Sequence, residues 1–242
     1  MSIINDYFDK LTAHLTQLRD SQAEVMKQAV AMIGAAARND KRVFVFGTGH
    51  SHMLAEEVHY RAGGLAITVP VLSAFTMLHE GASSSTKFER ISGMVLPLLQ
   101  RYDIGAGDIL LIVSNSGVNA APVDAARYGR EVGAKVIALT SVSYSASAAN
   151  GRVRLSELAD LVLDNEIPAG DAMMDLPNSE MKAGAVSTAV CATILHAIFT
   201  AVAAELAEEG SDVPVYRSAN MPGATEINER LIEKYKVRNP HL

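Results

Sequence analysis

The sequence predicts an α/β fold: a doubly wound, five-stranded parallel sheet with added helices at both ends. Three observations carry this. Short runs rich in Val, Ile and Leu stand at 42–46, 66–71, 108–113, 135–140 and 160–164. Runs apolar on both faces are what strands buried in a parallel sheet require. Helical patterns fall between most of them, near 51–62, 88–100, 119–132 and 181–208, and strand alternating with helix implies right-handed crossovers covering both faces. Two of the strands end in bare polar loops, VFVFGTGHS at Val43–Ser51 and ILLIVSNSG at Ile109–Gly117.

The elements follow in order. Residues 5–37 read as one helix, because Phe8, Leu11, Leu15 and Leu18 recur at helical spacing and Val25, Ala29 and Ile33 continue the stripe. The first strand, RVFVF, runs into GTGHS and the helical pattern at 51–62. The second, AITVPV, is followed by the Ser-rich LHEGASSS, long for a strand-to-helix connection. The third, DILLIV, ends in SNSG, and Asn119 begins the next helix. The fourth, KVIALT, leads to Thr140, Ser141 and Ser143, and the fifth, DLVLD, to a Pro/Gly loop carrying Asp171. Ala183–Ala204 holds no Asp, Glu, Lys or Arg, so its length alone would suit a bilayer. Its Ala, Ser, Thr and His196 content fits a helix buried against a sheet or a subunit better, so no membrane partner is assigned. The amphipathic Ala224–Tyr235 is expected to pack outside the core, within a C-terminal extension from about 210 to 242.

The chain has 242 residues, 49% hydrophobic, with a formal charge of −6. That suits one α/β domain over 1–242. No basic footprint for a nucleic acid is visible. Cys191 is the only cysteine, so a reducing, cytoplasmic setting fits. The N-terminal MSIINDYFDK carries Asp6 and Asp9 and no long apolar stretch, unlike a signal peptide.

In open α/β sheets, ligands bind beyond the carboxyl ends of the strands, where strand order reverses. In a 2-1-3-4-5, flavodoxin-like order, that point lies between the first and third strands, which end in GTGHS and SNSG. Gly47 and Gly49 let the backbone turn tightly and approach a ligand. Ser51 opens the next helix, where free N–H groups and the helix dipole favour an anion. His50, Ser114, Asn115, Ser116, Gly117 and Asn119 add neutral donors and open backbone, a cradle that suits a phosphate monoester. Rival phosphate motifs fit worse. GxGxxG needs glycine where His52 stands, and no acidic residue ends the second strand; neither Walker A nor G-x-S-x-G is present. No cofactor is assigned.

GTGHS at 47–51 and SNSG at 114–117, in this order and spacing, resemble the paired signatures of the SIS (sugar isomerase) domain family. The likeness runs from about residue 20 to 205. It takes in the Ser-rich loop at Thr140, Ser141 and Ser143 and the Ala-rich helix after the fifth strand. PVYRSANMPGATEINERL resembles a smaller subgroup described as phosphosugar isomerases. The resemblance implies a phosphosugar ligand, held by Ser51, Ser114, Ser116 and their loops. It also implies a homodimer or homotetramer with sites near the subunit interface. Asn119 stands where many members have Thr, and Arg61 where several isomerases and etherases have a glutamate.

Aldose–ketose isomerisation needs a positioned base and often an acid to open the ring. Glu80 is the first candidate base and His79 the ring-opening acid, both in LHEGASSS; Glu57, on the first helix, is the next base. His52, Glu56 and His59 share one helical face near His50, but no specific metal spacing is present, so no metal is assigned. Cys191 and His196 read as buried helix residues, Asp171 as lining the crevice mouth or capping a turn, and Arg217 and Asn220 as closing over a site. The expected function is phosphosugar binding with aldose–ketose isomerisation, on a sugar phosphate that includes amino and N-acetylamino sugars. The alternatives are a non-catalytic phosphosugar sensor and a sugar-phosphate lyase or etherase.

Overall fold

A computed structural model describes residues 2–242. Five parallel strands, β1 (Val43–Gly47), β2 (Thr68–Pro70), β3 (Ile109–Val113), β4 (Lys135–Thr140) and β5 (Leu161–Asp164), form a sheet in the order β2-β1-β3-β4-β5. This is the expected fold and strand order.

Ten α-helices run in chain order among the described residues: α1 (Ile3–Ser21), α2 (Ala23–Arg38), α3 (His52–Glu57), α4 (Ala82–Phe88), α5 (Leu96–Leu99), α6 (Ala120–Glu131), α7 (Val142–Ala148), α8 (Leu155–Leu158), α9 (Ser187–Glu208) and α10 (Ala224–Tyr235). Alternate strand residues divide between two cores, as the pleat requires. Val43, Val45, Ile109, Leu111 and Leu139 pack with buried residues of α2, α3, α9 and α10. Phe44, Phe46, Leu110, Ile112 and Val136 pack with those of α5, α6 and α8. Both faces are covered, so the strands read as unbroken apolar runs.

Four expectations are corrected. The N-terminal helix is not continuous, because Gln22 leaves helical geometry at φ −102, ψ 8. Its side chain is spent on the turn after β5: Gln22 accepts from Asp164 N at 3.2 Å and donates to Glu166 at 3.2 Å. The helix expected at 51–62 starts from a 3-10 turn, Gly49–Ser51, and ends at Glu57, before Tyr60 in the left-handed region at φ 47. The pattern at 88–100 yields only α5, preceded by α4 and by turns in which Asp124 takes the Gly93 N–H at 2.7 Å. The pattern at 181–208 hides a strand, β7 (Lys182–Ala185), paired antiparallel with β6 (Ala172–Asp175). Gly184 sits there at φ 78, and the helix begins only at Ser187.

Helix α9 is long and apolar enough to cross a membrane, but here it packs on α2 and the sheet through Val190, Ile194, Ile198 and Val202. Cys191 lies buried on it, and burial pushes its thiol up to about 12. Helix α10 forms over the expected residues, yet Leu231 and Tyr235 enter the core rather than remaining outside it. Ahead of it, Val215 pairs with Leu65. The C-terminal segment thereby covers the open edge of β2, a row of backbone groups that would otherwise invite pairing with another chain.

Candidate functional site

Strand β1 lies between β2 and β3, and Gly47 is level with Val113. The chain therefore reverses direction across the sheet between β1 and β3, and both loops emerge side by side at the carboxyl ends of these strands.

The first loop is compact because Gly47 has no side chain. A Cβ there would lie 2.5 Å from the Ser51 carbonyl oxygen, closer than packed atoms tolerate. Ser51 N donates to Thr48 O at 3.1 Å, closing the 3-10 turn. His50 is exposed and Ser51 half-buried. In the second loop, Gly117 takes φ 58, and its N–H donates to Ser114 Oγ at 3.2 Å. Thr140, fully buried, donates to Asn115 O at 3.1 Å, and Asn165 donates to Asn115 Oδ1 at 2.7 Å. Asn115 and Thr140 thus spend these groups on holding the loop, whereas the Ser51 and Ser116 hydroxyls make no hydrogen bond among the described residues and are half-buried at the crevice.

Asn119 precedes α6, but its side-chain amide goes elsewhere, donating to Glu89 Oε1 at 2.8 Å. Thr48, in the first loop, donates to Glu89 Oε2 at 2.7 Å. Glu89 follows α4, and its backbone carbonyl accepts from Ala121 N at 2.9 Å. One carboxylate therefore joins both loops. Sequence reading missed it, because Glu89 belongs to neither loop and only the packing of α4 beside α6 brings it there.

Glu80 and His79 are exposed in the turn before α4. That segment is tied to α3 through His52, whose Nε2 accepts from Ser73 N at 3.3 Å and whose Nδ1 lies 3.1 Å from Glu56. Burial, with a smaller contribution from His79, pushes His52 below the usual imidazole range, against the pull of Glu56. His59 turns instead toward the His241 carbonyl, 3.4 Å away. His52 and His59 thus have separate partners despite sharing a helix.

Glu57 is the most engaged of the three nominated groups. His196, on α9, donates to its Oε1 at 3.0 Å, and Arg61 Nη1 lies 2.9 Å from the same oxygen. Both Glu57 and His196 are about one-third exposed, at 33% and 36%. His196 is therefore not a buried helix residue, as its apolar neighbours imply, but the partner of a carboxylate. Asp171 binds the start of α9, accepting from Ser187 N at 2.9 Å and Ser187 Oγ at 2.5 Å. Arg217 and Asn220 are exposed on the C-terminal segment.

Comparison with known proteins places these features in a family. The SIS domain model matches residues 6–141. The chain is 60% identical over 240 residues to a UPF0309 protein of Brucella anthropi, covering 99% of each chain. It is 59% identical over 240 residues to one of Brucella canis, again covering 99% of each. Among solved structures, a phosphoheptose isomerase from Francisella tularensis superposes with a TM-score of 0.56 at 17% identity, covering 84% of this chain and 98% of that one. One from Neisseria gonorrhoeae gives 0.54 at 18%, covering 82% and 96%. An Escherichia coli CFT073 protein in complex with a sugar phosphate gives 0.52 at 16%, covering 85% and 90%. At these identities the superpositions speak for the fold. The family match, spanning the GTGHS and SNSG loops and more than half of the chain, speaks for descent: this protein belongs to the SIS domain family.

Proposed function

We propose that this chain binds a sugar phosphate in the β1/β3 crevice and interconverts its aldose and ketose forms. The observation that carries this is the pair of serine-bearing loops held level by the Gly47–Val113 register, with the Ser51 and Ser116 hydroxyls free of internal partners. A phosphate there meets hydroxyls and N–H groups rather than cations, as neutral-donor cradles require. Family membership and the likeness to phosphoheptose isomerases and to the sugar-phosphate-bound Escherichia coli protein support the ligand class. The reading places the protein in the cytoplasm, as a homodimer or homotetramer. Exposed Ile4 (66%) and Phe8 (63%) on α1 motivate the assembly, since apolar helix faces in water call for burial. Light scattering that returns a monomer at micromolar concentration removes it.

In the isomerisation, a base takes the proton from the carbon beside the carbonyl, an acid protonates the carbonyl oxygen, and the enediol collapses with the proton on the neighbouring carbon. No net redox change occurs. Glu80 with His79 is one candidate pair, on the turn linked to α3 through His52. Glu57 with His196 is the second, favoured by their 3.0 Å hydrogen bond. Both acid–base groups are thereby oriented before a substrate arrives.

The test is proton exchange. Wild type incubated with a panel of pentose, hexose, heptose and N-acetylhexosamine phosphates in D₂O is expected to incorporate deuterium beside the carbonyl of one of them. Removing a positioned base costs about 10²–10⁴-fold in rate. The slower of Glu80→Gln and Glu57→Gln identifies the base. Binding by wild type without exchange in any member would instead make the protein a phosphosugar sensor.

A further inference from the structure

Glu89 supplies a carboxylate at the crevice that forms no ion pair among the described residues. Neutral donors orient it: Thr48 Oγ1 holds one oxygen at 2.7 Å and Asn119 Nδ2 the other at 2.8 Å. The main chain is also tied, through Glu89 N to Ser85 O at 3.1 Å and Ala121 N to Glu89 O at 2.9 Å. An ionised carboxylate offers about four acceptor positions. Two are used, and the half-buried group retains the others.

This arrangement is poor for phosphate and good for hydroxyls. A fixed, uncompensated negative charge repels a phosphate dianion, so Glu89 does not belong to the phosphate end of the crevice. A charged acceptor makes stronger hydrogen bonds to hydroxyl donors than a neutral one does. Its two anchors come one from each serine-bearing loop, so a ligand whose phosphate sits on Ser51 and Ser116 must extend its carbon chain near this group. We infer that Glu89 is the sugar-recognising carboxylate: its free lone pairs accept hydroxyl protons from the sugar. It selects neutral or amino sugar phosphates and disfavours sugar acids. Thr48 and Asn119 are its positioning residues. This inference rests on the sugar-phosphate reading above and assigns the specificity of that same crevice.

The experiment compares dissociation constants for inorganic phosphate and for the tightest-binding member of the sugar-phosphate panel. The proteins are wild type, Glu89→Gln and Glu89→Asp, each checked by circular dichroism. The aspartate variant keeps the charge but withdraws it by one methylene, and serves if the glutamine variant does not fold. Sugar-phosphate affinity is expected to fall at least about 10-fold in a folded variant, while phosphate affinity changes less than about 3-fold. Equal losses for both ligands would make Glu89 only a brace between loops and overturn the inference. No loss for either would show that the sugar does not reach it. Tighter binding of both would make it a competitor for the phosphate seat, which also overturns it. If wild type binds no panel member better than phosphate, the sugar-phosphate reading itself fails, an outcome distinct from the other three.

Discussion

Ser51 and Ser116 differ from Ser114 in what their hydroxyls are free to do. Ser114 Oγ accepts from Gly117 N, so it shapes its loop as well as facing the crevice. Replacing it would mix a loss of ligand contact with a loosened turn. Ser51→Ala with Ser116→Ala removes two hydroxyls that have no internal partner. The double variant is expected to keep its thermal stability and to lose about 1.5–3 kcal/mol of sugar-phosphate binding for each bond to the charged phosphate. Calorimetric titration reads it, and unchanged affinity in the folded protein would place the phosphate elsewhere. The glycines of the same loops are constrained by space and backbone angle, not by ligand. At Gly47 the obstacle is the Ser51 carbonyl 2.5 Å from any added Cβ; at Gly117 it is both φ 58 and Thr140 Oγ1 at 3.0 Å.

Among elements, α9 illustrates how a helix is set in place by a distant residue. Its first turn has no side-chain cap from its own flank. Asp171 supplies one across the β6–β7 hairpin, accepting from Val186 N at 3.2 Å and Ser187 N at 2.9 Å. A carboxylate at this end satisfies orphan N–H groups and complements the helix dipole. Asp171→Ala is expected to cost about 1–2 kcal/mol, read as a lower denaturant midpoint with unchanged slope. Asp171→Asn should recover part of it, because the amide oxygen still accepts. The consequence reaches the site, since α9 also presents His196 to Glu57.

For the whole molecule, the C-terminal residues close the sheet edge through titratable contacts. His241 Nε2 lies 2.8 Å from the Tyr102 hydroxyl, which also accepts from Leu72 N at 2.9 Å at the end of β2. Burial first, and Arg101 second, push His241 below its ordinary 6.5; burial is also the main cause at His59. A histidine depressed in the folded protein binds fewer protons there than in the unfolded chain. The associated stability is therefore full above about 6.5 and falls as pH drops through that value. The melting temperature is expected to decline from about pH 7.5 to about 5.5, and to decline less in a His59→Gln, His241→Gln variant. Some decline remains, because His52 is depressed as well. An identical decline in the variant would show that these two histidines do not carry the effect.

The sequence by itself determined what is local. Strand runs buried on both faces, the alternation with helices and the two glycine-serine loops all depend on residues near one another in the chain. They led to the sheet order and to the crevice between β1 and β3. Helix α6, within one residue of its expected bounds, and α10, at them, follow from short-range periodicity. Only the tertiary structure decided what depends on long separations. Glu89 meets Thr48 across 41 positions and Asn119 across 30, and His196 meets Glu57 across 139. The break at Gln22 arises the same way, from a side chain taken up by Asp164 at 142 positions' distance. No periodicity records such pairings. A polar residue reads alike in sequence whether it faces water or a partner, and packing of the layers supplies the difference.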